Sequence, residues 1–227
     1  MTTGPSVIFD LDGTLTDPAL GITKCIQSAL RQLDRPVPEA ASLHWCIGPP
    51  LADSFGALLE SDDEQLIGRA VRLYRKRFQA EGMYENELID GVVEALSALH
   101  GRSFRLFVAT SKPHVFATPI VEFFGLDKYF DAIYGAELDG TRSDKYELID
   151  FLMAQEGLAP DGGVIMVGDR EHDIIGAVKA RILSIGVTFG YGAEGILRKH
   201  GATAIAHSPQ QIPALVDSLL RGSQPSG

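Results

Sequence analysis

From residue 88 to the end of the chain, short apolar runs alternate with helical stretches, and this alternation constrains the fold more than any other feature. Runs at 105–109, 131–134, 163–167, 183–187 and 203–206 are short and bounded by turn residues, which predicts strands. Helices are predicted between them at 92–99, 115–124, 145–156, 173–179 and 194–199, with a last one over 213–220 behind Pro209. One further apolar run, Ser6-Val-Ile-Phe9, stands near the N-terminus and ends at once in Asp10-Leu-Asp-Gly13. Strands that take turns with helices can join one sheet only by crossover connections. The expected fold class is therefore α/β, a central parallel sheet with helices on both faces.

The stretch between the first strand and residue 88 follows a different period. Ile22, Ile26, Leu30 and Leu33 recur at helical spacing, as do Ile67, Ala70, Val71, Tyr74 and Phe78, and Gly48-Pro49-Pro50 breaks the pattern midway. An all-helical block after a single strand predicts an inserted helical subdomain at 17–87, with the core formed by 1–16 and 88–221 and a disordered tail at 222–227. A chain of 227 residues is long enough for a core and an insert of this size.

The net charge of −10 argues against binding a nucleic-acid polymer, which requires a basic footprint. It leaves small anionic substrates open, since a pocket can be locally positive on an acidic protein. Cys25 and Cys46 lack metal-ligand spacing and are expected as reduced thiols. There is neither a basic leader nor an apolar run of membrane-spanning length, so a cytoplasmic protein without a membrane partner, monomer or homodimer, is the expectation.

Ligands of open parallel sheets bind beyond the C-terminal strand ends. The sequence places Asp10 and Asp12 there after the first strand, Thr110 and Ser111 after the second, and Asp169 and Asp173 after the fourth, with Lys145 opening the helix after the third. Four carboxylates gathered without a cation would repel and raise one another's pKa. A hard divalent cation resolves the repulsion, and Mg2+ suits carboxylates that share it with a substrate phosphate oxygen. Lys145 would add a fixed positive charge, and hydroxyls and backbone N–H groups would hold the remaining phosphate oxygens. This set supports phosphoryl transfer in which an Asp attacks phosphorus and a second carboxyl two residues on serves as acid and then base. Taken singly, each residue also has a plainer role. Asp169 and Asp173 fit a helix cap and first-turn acid, Thr110 and Ser111 fit a cap ahead of Pro113, and Lys145 and Lys112 fit solvated lysines.

Asp10-Leu-Asp-Gly-Thr-Leu15, Leu106-Phe-Val-Ala-Thr-Ser-Lys112, Lys145 and Val167-Gly-Asp-Arg-Glu-His-Asp173 resemble, in order, the four signature motifs of the haloacid dehalogenase superfamily. The resemblance covers nearly the whole chain and implies a Rossmann-like core with an inserted helical cap of the first type. It implies Asp10 as nucleophile and metal ligand, and Asp12 as general acid/base and metal ligand through its carbonyl. It implies Lys145 as the orienting cation, and Asp169 and Asp173 as further Mg2+ ligands, Asp173 directly or through water. Thr110 or Ser111 would bind phosphate, with Lys112 beside them, and the cap loop Gly48-Pro49-Pro50 would contact the substrate.

Within the superfamily the chain is most similar to the phosphoglycolate phosphatase-like branch. Ile47-Gly-Pro-Pro-Leu51, Thr110-Ser-Lys-Pro113, Gly140-Thr-Arg-Ser143 and Gly168-Asp-Arg-Glu-His-Asp173 resemble its bacterial 5′-nucleotidase-like members. The implied activity is Mg2+-dependent hydrolysis of a small phosphorylated metabolite, a nucleoside 5′-monophosphate first and phosphoglycolate second. Pyrophosphate hydrolysis, sugar-phosphate chemistry (hydrolysis or mutase) and a non-catalytic binding role are more distant alternatives. A dehalogenase would need neither Asp12 nor Asp169.

Overall fold

A computed structural model describes residues 4–102 and 104–222. By contacts it divides into two compact units, one formed by Met1–Thr16 and Leu88–Gly227 and the other by Asp17–Glu87.

The first unit is built on a six-stranded sheet. Its strands are β1 (Ser6–Phe9), β4 (Arg105–Pro113), β5 (Ala132–Ala136), β6 (Val164–Gly168), β7 (Leu183–Val187) and β8 (Ala204–Ala206), in the order β5-β4-β1-β6-β7-β8. Every pairing is parallel. Two-residue strands β2 (Thr16–Asp17) and β3 (Glu87–Leu88) form a separate pair. Helices α4 (Val92–His100), α5 (His114–Phe123), α6 (Lys145–Glu156), α7 (Glu171–Lys179), α8 (Glu194–Lys199) and α9 (Ile212–Gly222) belong to the same unit.

β1 is apolar throughout and wholly buried because both of its faces are covered. Ile8 points with Phe107, Ala109 and Met166 into a core completed by Leu148, Ile149 and Leu152 of α6 and Ala177 of α7. Phe9, one residue on, faces the other way, toward Val92, Ala95 and Leu96 of α4 and Ile212 of α9. The chain leaves β1 toward β4 and leaves β6 toward β7, so the connections diverge between β1 and β6. A crevice opens at such a switch point, beyond the C-terminal ends of the strands.

Several element ends differ from the sequence expectation. β4 runs to Pro113 instead of stopping at Ala109, which puts Thr110, Ser111 and Lys112 inside the strand. The turn-like residues there are carried along because β5 continues beside them, pairing Thr110 with Gly135 and Pro113 with Ala136 across an irregular register. α7 starts at Glu171, not at Asp173. Gly222, expected in a disordered tail, ends α9, whose buried Ile212 and Val216 anchor it to the core. Residues 223–227 of that expected tail lie outside the described residues.

The second unit holds α1 (Ala19–Gln32), a 3-10 segment (Ala40–Cys46), α2 (Leu51–Leu59), α3 (Glu64–Arg77) and a π turn (Phe78–Gly82). Its apolar interior includes Ile26, Leu30, Leu43, Phe55, Ala70 and Phe78. Tyr74 stacks on Phe78 at 5.4 Å and meets Phe55 edge-on at 6.3 Å. Glu85 accepts from Lys24 at 2.8 Å and from Arg77 at 2.7 Å. Gly48, Pro49 and Pro50 link the 3-10 segment to α2, with Gly48 at φ +105°. Each unit closes its own side of the junction. Ile89 N–H donates to the Leu15 carbonyl at 3.1 Å in the first unit, and Gly21 N–H to the Glu85 carbonyl at 2.9 Å in the second.

Candidate active site

The strand ends of the first unit gather the predicted acids. Asp10 follows β1, and its N–H donates to the Val167 carbonyl of β6 at 2.9 Å, which fixes the chain as it leaves the sheet. Asp169 follows β6, and Asp173 lies in the first turn of α7. Carboxylate oxygens of Asp10, Asp169 and Asp173 all lie within 4.8 Å of one another, and all three residues are buried.

Lys145 is brought to this trio by its place at the start of α6. Asp144 caps that helix, its Oδ1 accepting from the N–H groups of Tyr146 at 2.9 Å and Glu147 at 3.1 Å. The Lys145 ammonium then lies 2.8 Å from Asp10 Oδ1, 2.8 Å from Asp173 Oδ1 and 2.8 Å from the Ala109 carbonyl. Burial works to lower its pKa, but Asp10 and Asp173 outweigh that and hold it above the usual lysine range. Lys145 is therefore a fixed cation and no proton donor near neutral pH.

The acids are shifted upward as well, but for them burial is the dominant cause. Burial raises Asp173 despite the opposing charge of Lys145. Burial raises Asp169 well above its ordinary range, and Asp173 and Asp10 push it further. Burial also raises Asp12, against the pull of Lys112, whose Nζ lies 2.8 Å from Asp12 Oδ2. Asp12 is not among the three acids that converge, and its side chain faces Lys112 instead.

Among the described residues Asp12 Oδ1 and Asp169 Oδ1 have no hydrogen-bond partner, and Asp173 Oδ1 is met by the ion pair with Lys145. Orphaned buried carboxylate oxygens are costly in a protein interior. Three carboxylates at mutual ligand distance, one of them with an idle oxygen, form an all-oxygen donor set that fits a hard divalent cation.

Thr110 and Ser111 diverge in use. Thr110 is buried, and its Oγ1 accepts from the Lys112 N–H at 3.2 Å. Ser111 Oγ donates to the Ser143 carbonyl at 3.0 Å, two residues before Lys145. Gly48, Pro49 and Pro50 belong to the second unit, with Gly48 and Pro50 exposed.

One contributor went unread in the sequence. The loop after β7, Gly190-Tyr-Gly192, lies against Asp169, and the Tyr191 N–H donates to Asp169 Oδ2 at 2.7 Å. The two glycines flanking an aromatic just beyond a strand were its only signal.

Set beside known proteins, residues 7–187 match the pattern of a family described as haloacid dehalogenase-like hydrolase. A 5′-nucleotidase of Pseudomonas aeruginosa is 49% identical over 199 residues, covering 88% of this chain and 89% of that protein. Tyrosine-protein kinase PtkA of Mycobacterium tuberculosis is 38% identical over 94% of this chain and 70% of its own length. The crystal structure of a predicted phosphatase from Clostridium acetobutylicum superposes with a TM-score of 0.88 at 44% identity, covering 96% of this chain and 99% of that one.

Proposed function

The chain belongs to the haloacid dehalogenase-like hydrolase family and is a phosphatase, and from that premise we propose a Mg2+-dependent phosphomonoesterase of 5′-nucleotidase type that works through an aspartyl-phosphate on Asp10. The observation that carries this reading is the buried lysine held between two acids of a three-acid cluster, at the switch point of the sheet. The nucleotide preference rests on the 49% identity to a protein named 5′-nucleotidase.

Asp10, Asp169 and Asp173 would hold Mg2+, with the Asp12 carbonyl as the resemblance implies. When bound, the ion supplies positive charge against the phosphate oxygens. Asp10 attacks phosphorus in line while the bond to the leaving alcohol oxygen breaks. Asp12 is held protonated more readily than an exposed acid by its burial, and it gives its proton to that oxygen. Water then attacks the aspartyl-phosphate and yields its proton to Asp12. Inorganic phosphate leaves and Asp10 is regenerated. Through both steps Lys145 neutralises charge on Asp10 and on the phosphoryl oxygens.

A phosphate oxygen needs a donor. The Ser111 proton is committed to the Ser143 carbonyl, whereas Thr110 receives a hydrogen bond at its oxygen and keeps its own proton available. Thr110 is accordingly the phosphate-binding hydroxyl, with Lys112 beside it. The second unit acts as a cap, and Gly48, Pro49 and Pro50 form its substrate loop.

The test is phosphate release from nucleoside 5′-monophosphates, phosphoglycolate, pyrophosphate and hexose phosphates, with and without Mg2+. Mg2+-dependent release from the nucleotides above the others is the expected result. Preference for phosphoglycolate would move the chain to the second reading, and release without any metal would overturn the Mg2+ assignment.

A further inference from the structure

Asp169 is wholly buried, and its two oxygens are unequal: Oδ2 accepts the Tyr191 N–H at 2.7 Å, while Oδ1 has no partner among the described residues. The ring of backbone around it leaves no slack. A Cβ at Gly190 would stand 2.2 Å from the Gly13 carbonyl oxygen and 2.6 Å from both Asp169 Cβ and Oδ2. A Cβ at Gly192 would stand 1.7 Å from the Asp169 carbonyl oxygen, and one at Gly13 would stand 2.3 Å from Asp169 Oδ2. Three glycines thus let two loops close on one carboxylate, and a main-chain donor takes one of its oxygens.

We propose that the loop at residues 190–192 is a positioning element for the metal, clamping Asp169 Oδ2 so that Oδ1 alone is presented to the cation. This rests on the reading of the acid cluster as a cation site. A carboxylate free to turn can offer both oxygens, whereas one pinned by an N–H offers a single ligand atom in a set direction. Mg2+ demands such directed, near-octahedral ligands. Groups that orient a ligand in this way typically contribute about 10–100-fold in metal affinity. Gly190 has an ordinary φ, so Gly190→Ala acts through the space it fills rather than through backbone strain.

The experiment uses the full chain and Mg2+ alone. Isothermal titration measures Mg2+ affinity for the parent, Gly190→Ala, Asp169→Asn and Gly186→Ala, with a melting curve for each. Gly186 lies in β7, the strand before the loop, and a Cβ there would meet its nearest neighbours in the side chains of Ile205 and Leu197 at 3.1–3.2 Å, so Gly186→Ala reports what mere destabilisation does. Gly190→Ala is expected to bind Mg2+ at least about tenfold more weakly, while Gly186→Ala keeps the parent affinity whatever melting temperature it loses. A folded Gly190→Ala with parent affinity overturns the clamp. Loss of affinity in both glycine variants reduces the loop to a structural part and also overturns it. A parent that binds no Mg2+, or an Asp169→Asn variant that binds as the parent does, overturns the metal reading itself.

Should Gly190→Ala not fold, hydrogen exchange on the parent decides. The Tyr191 amide is expected to stay protected at saturating Mg2+. Exchange that speeds up about tenfold or more on loading would mean Asp169 has turned both oxygens to the ion, which overturns the clamp.

Discussion

The two units handle charge in opposite ways. In the first, Asp10, Lys145, Asp169 and Asp173 are all buried, and the pKa values of Asp12, Asp169 and Asp173 are raised chiefly by loss of water. In the second, the described buried polar residues are the neutral Thr23 and Ser54, and the charges cluster on partly exposed Glu85, where hydrogen bonding from Arg77 lowers the carboxyl pKa. An interior crowded with acids costs folding stability in return for chemistry, whereas an ion pair near the surface costs little and adds little. On the proposed reading, the first unit is the one built to react.

The largest expected effect is on turnover. Asp10→Asn should fold and lose about 10^4-fold or more in kcat for the preferred phosphate ester, since removing a nucleophile removes the covalent route. Normal hydrolysis by this variant would erase the contrast, because the first unit's burial would then serve packing alone.

Next comes Lys145→Met, which leaves Asp10 and Asp173 facing each other without their shared cation. A loss of about 3–5 kcal/mol in unfolding free energy is expected in chelator, read by urea denaturation, with part of it restored by Mg2+. An unchanged midpoint would show that the lysine is not stabilising the cluster.

A pH scan separates the buried acid cluster from Glu85 by sign. Asp12, Asp169 and Asp173 have folded pKa values above their ordinary 3.8, so across that window the folded chain binds more protons than the unfolded one. Their contribution is full below 3.8 and is lost as pH rises through the raised values. Glu85 is the reverse: its folded pKa lies below the ordinary 4.5, so its contribution is full above that value and is lost as pH falls. With chelator present, the chain is expected to melt higher at about pH 5 than at about pH 8, and Mg2+ should close the gap by replacing the missing protons. A melting temperature that rises steadily over the range would contradict this assignment of signs.

The smallest effect belongs to the second unit. Glu85→Gln keeps the shape but weakens the pairs with Lys24 and Arg77, and about 1 kcal/mol or less should be lost on urea unfolding. A loss as large as that of Lys145→Met would mean that the two networks do not differ in kind.

Much of the first unit was readable because strands and crossover helices leave different periodicities in the sequence, and because ligands of such sheets bind beyond the strand ends where these acids fall together. Asp10, Asp169 and Asp173 converge for that reason. The reading faltered where main chain does the work. Thr110-Ser-Lys-Pro113 has the composition of a turn yet continues β4, held by β5 across a bulge that no side chain announces. The Tyr191 N–H that grips Asp169 is a group every residue but proline possesses, and only its glycine neighbours hint at it. Asp12 was placed by its spacing from Asp10, but spacing could not reveal that its carboxylate would face Lys112.

Leu15 and Ile89, on either side of the helical unit, are joined by one hydrogen bond of 3.1 Å. To the sheet, everything from the end of the first motif to the start of α4 is a detour that returns to its point of departure. A junction of this kind behaves as a cassette slot. Its contents could change in length without requiring a strand to move, and on the proposed reading that is where substrate range would change while the reacting acids stay where the sheet put them.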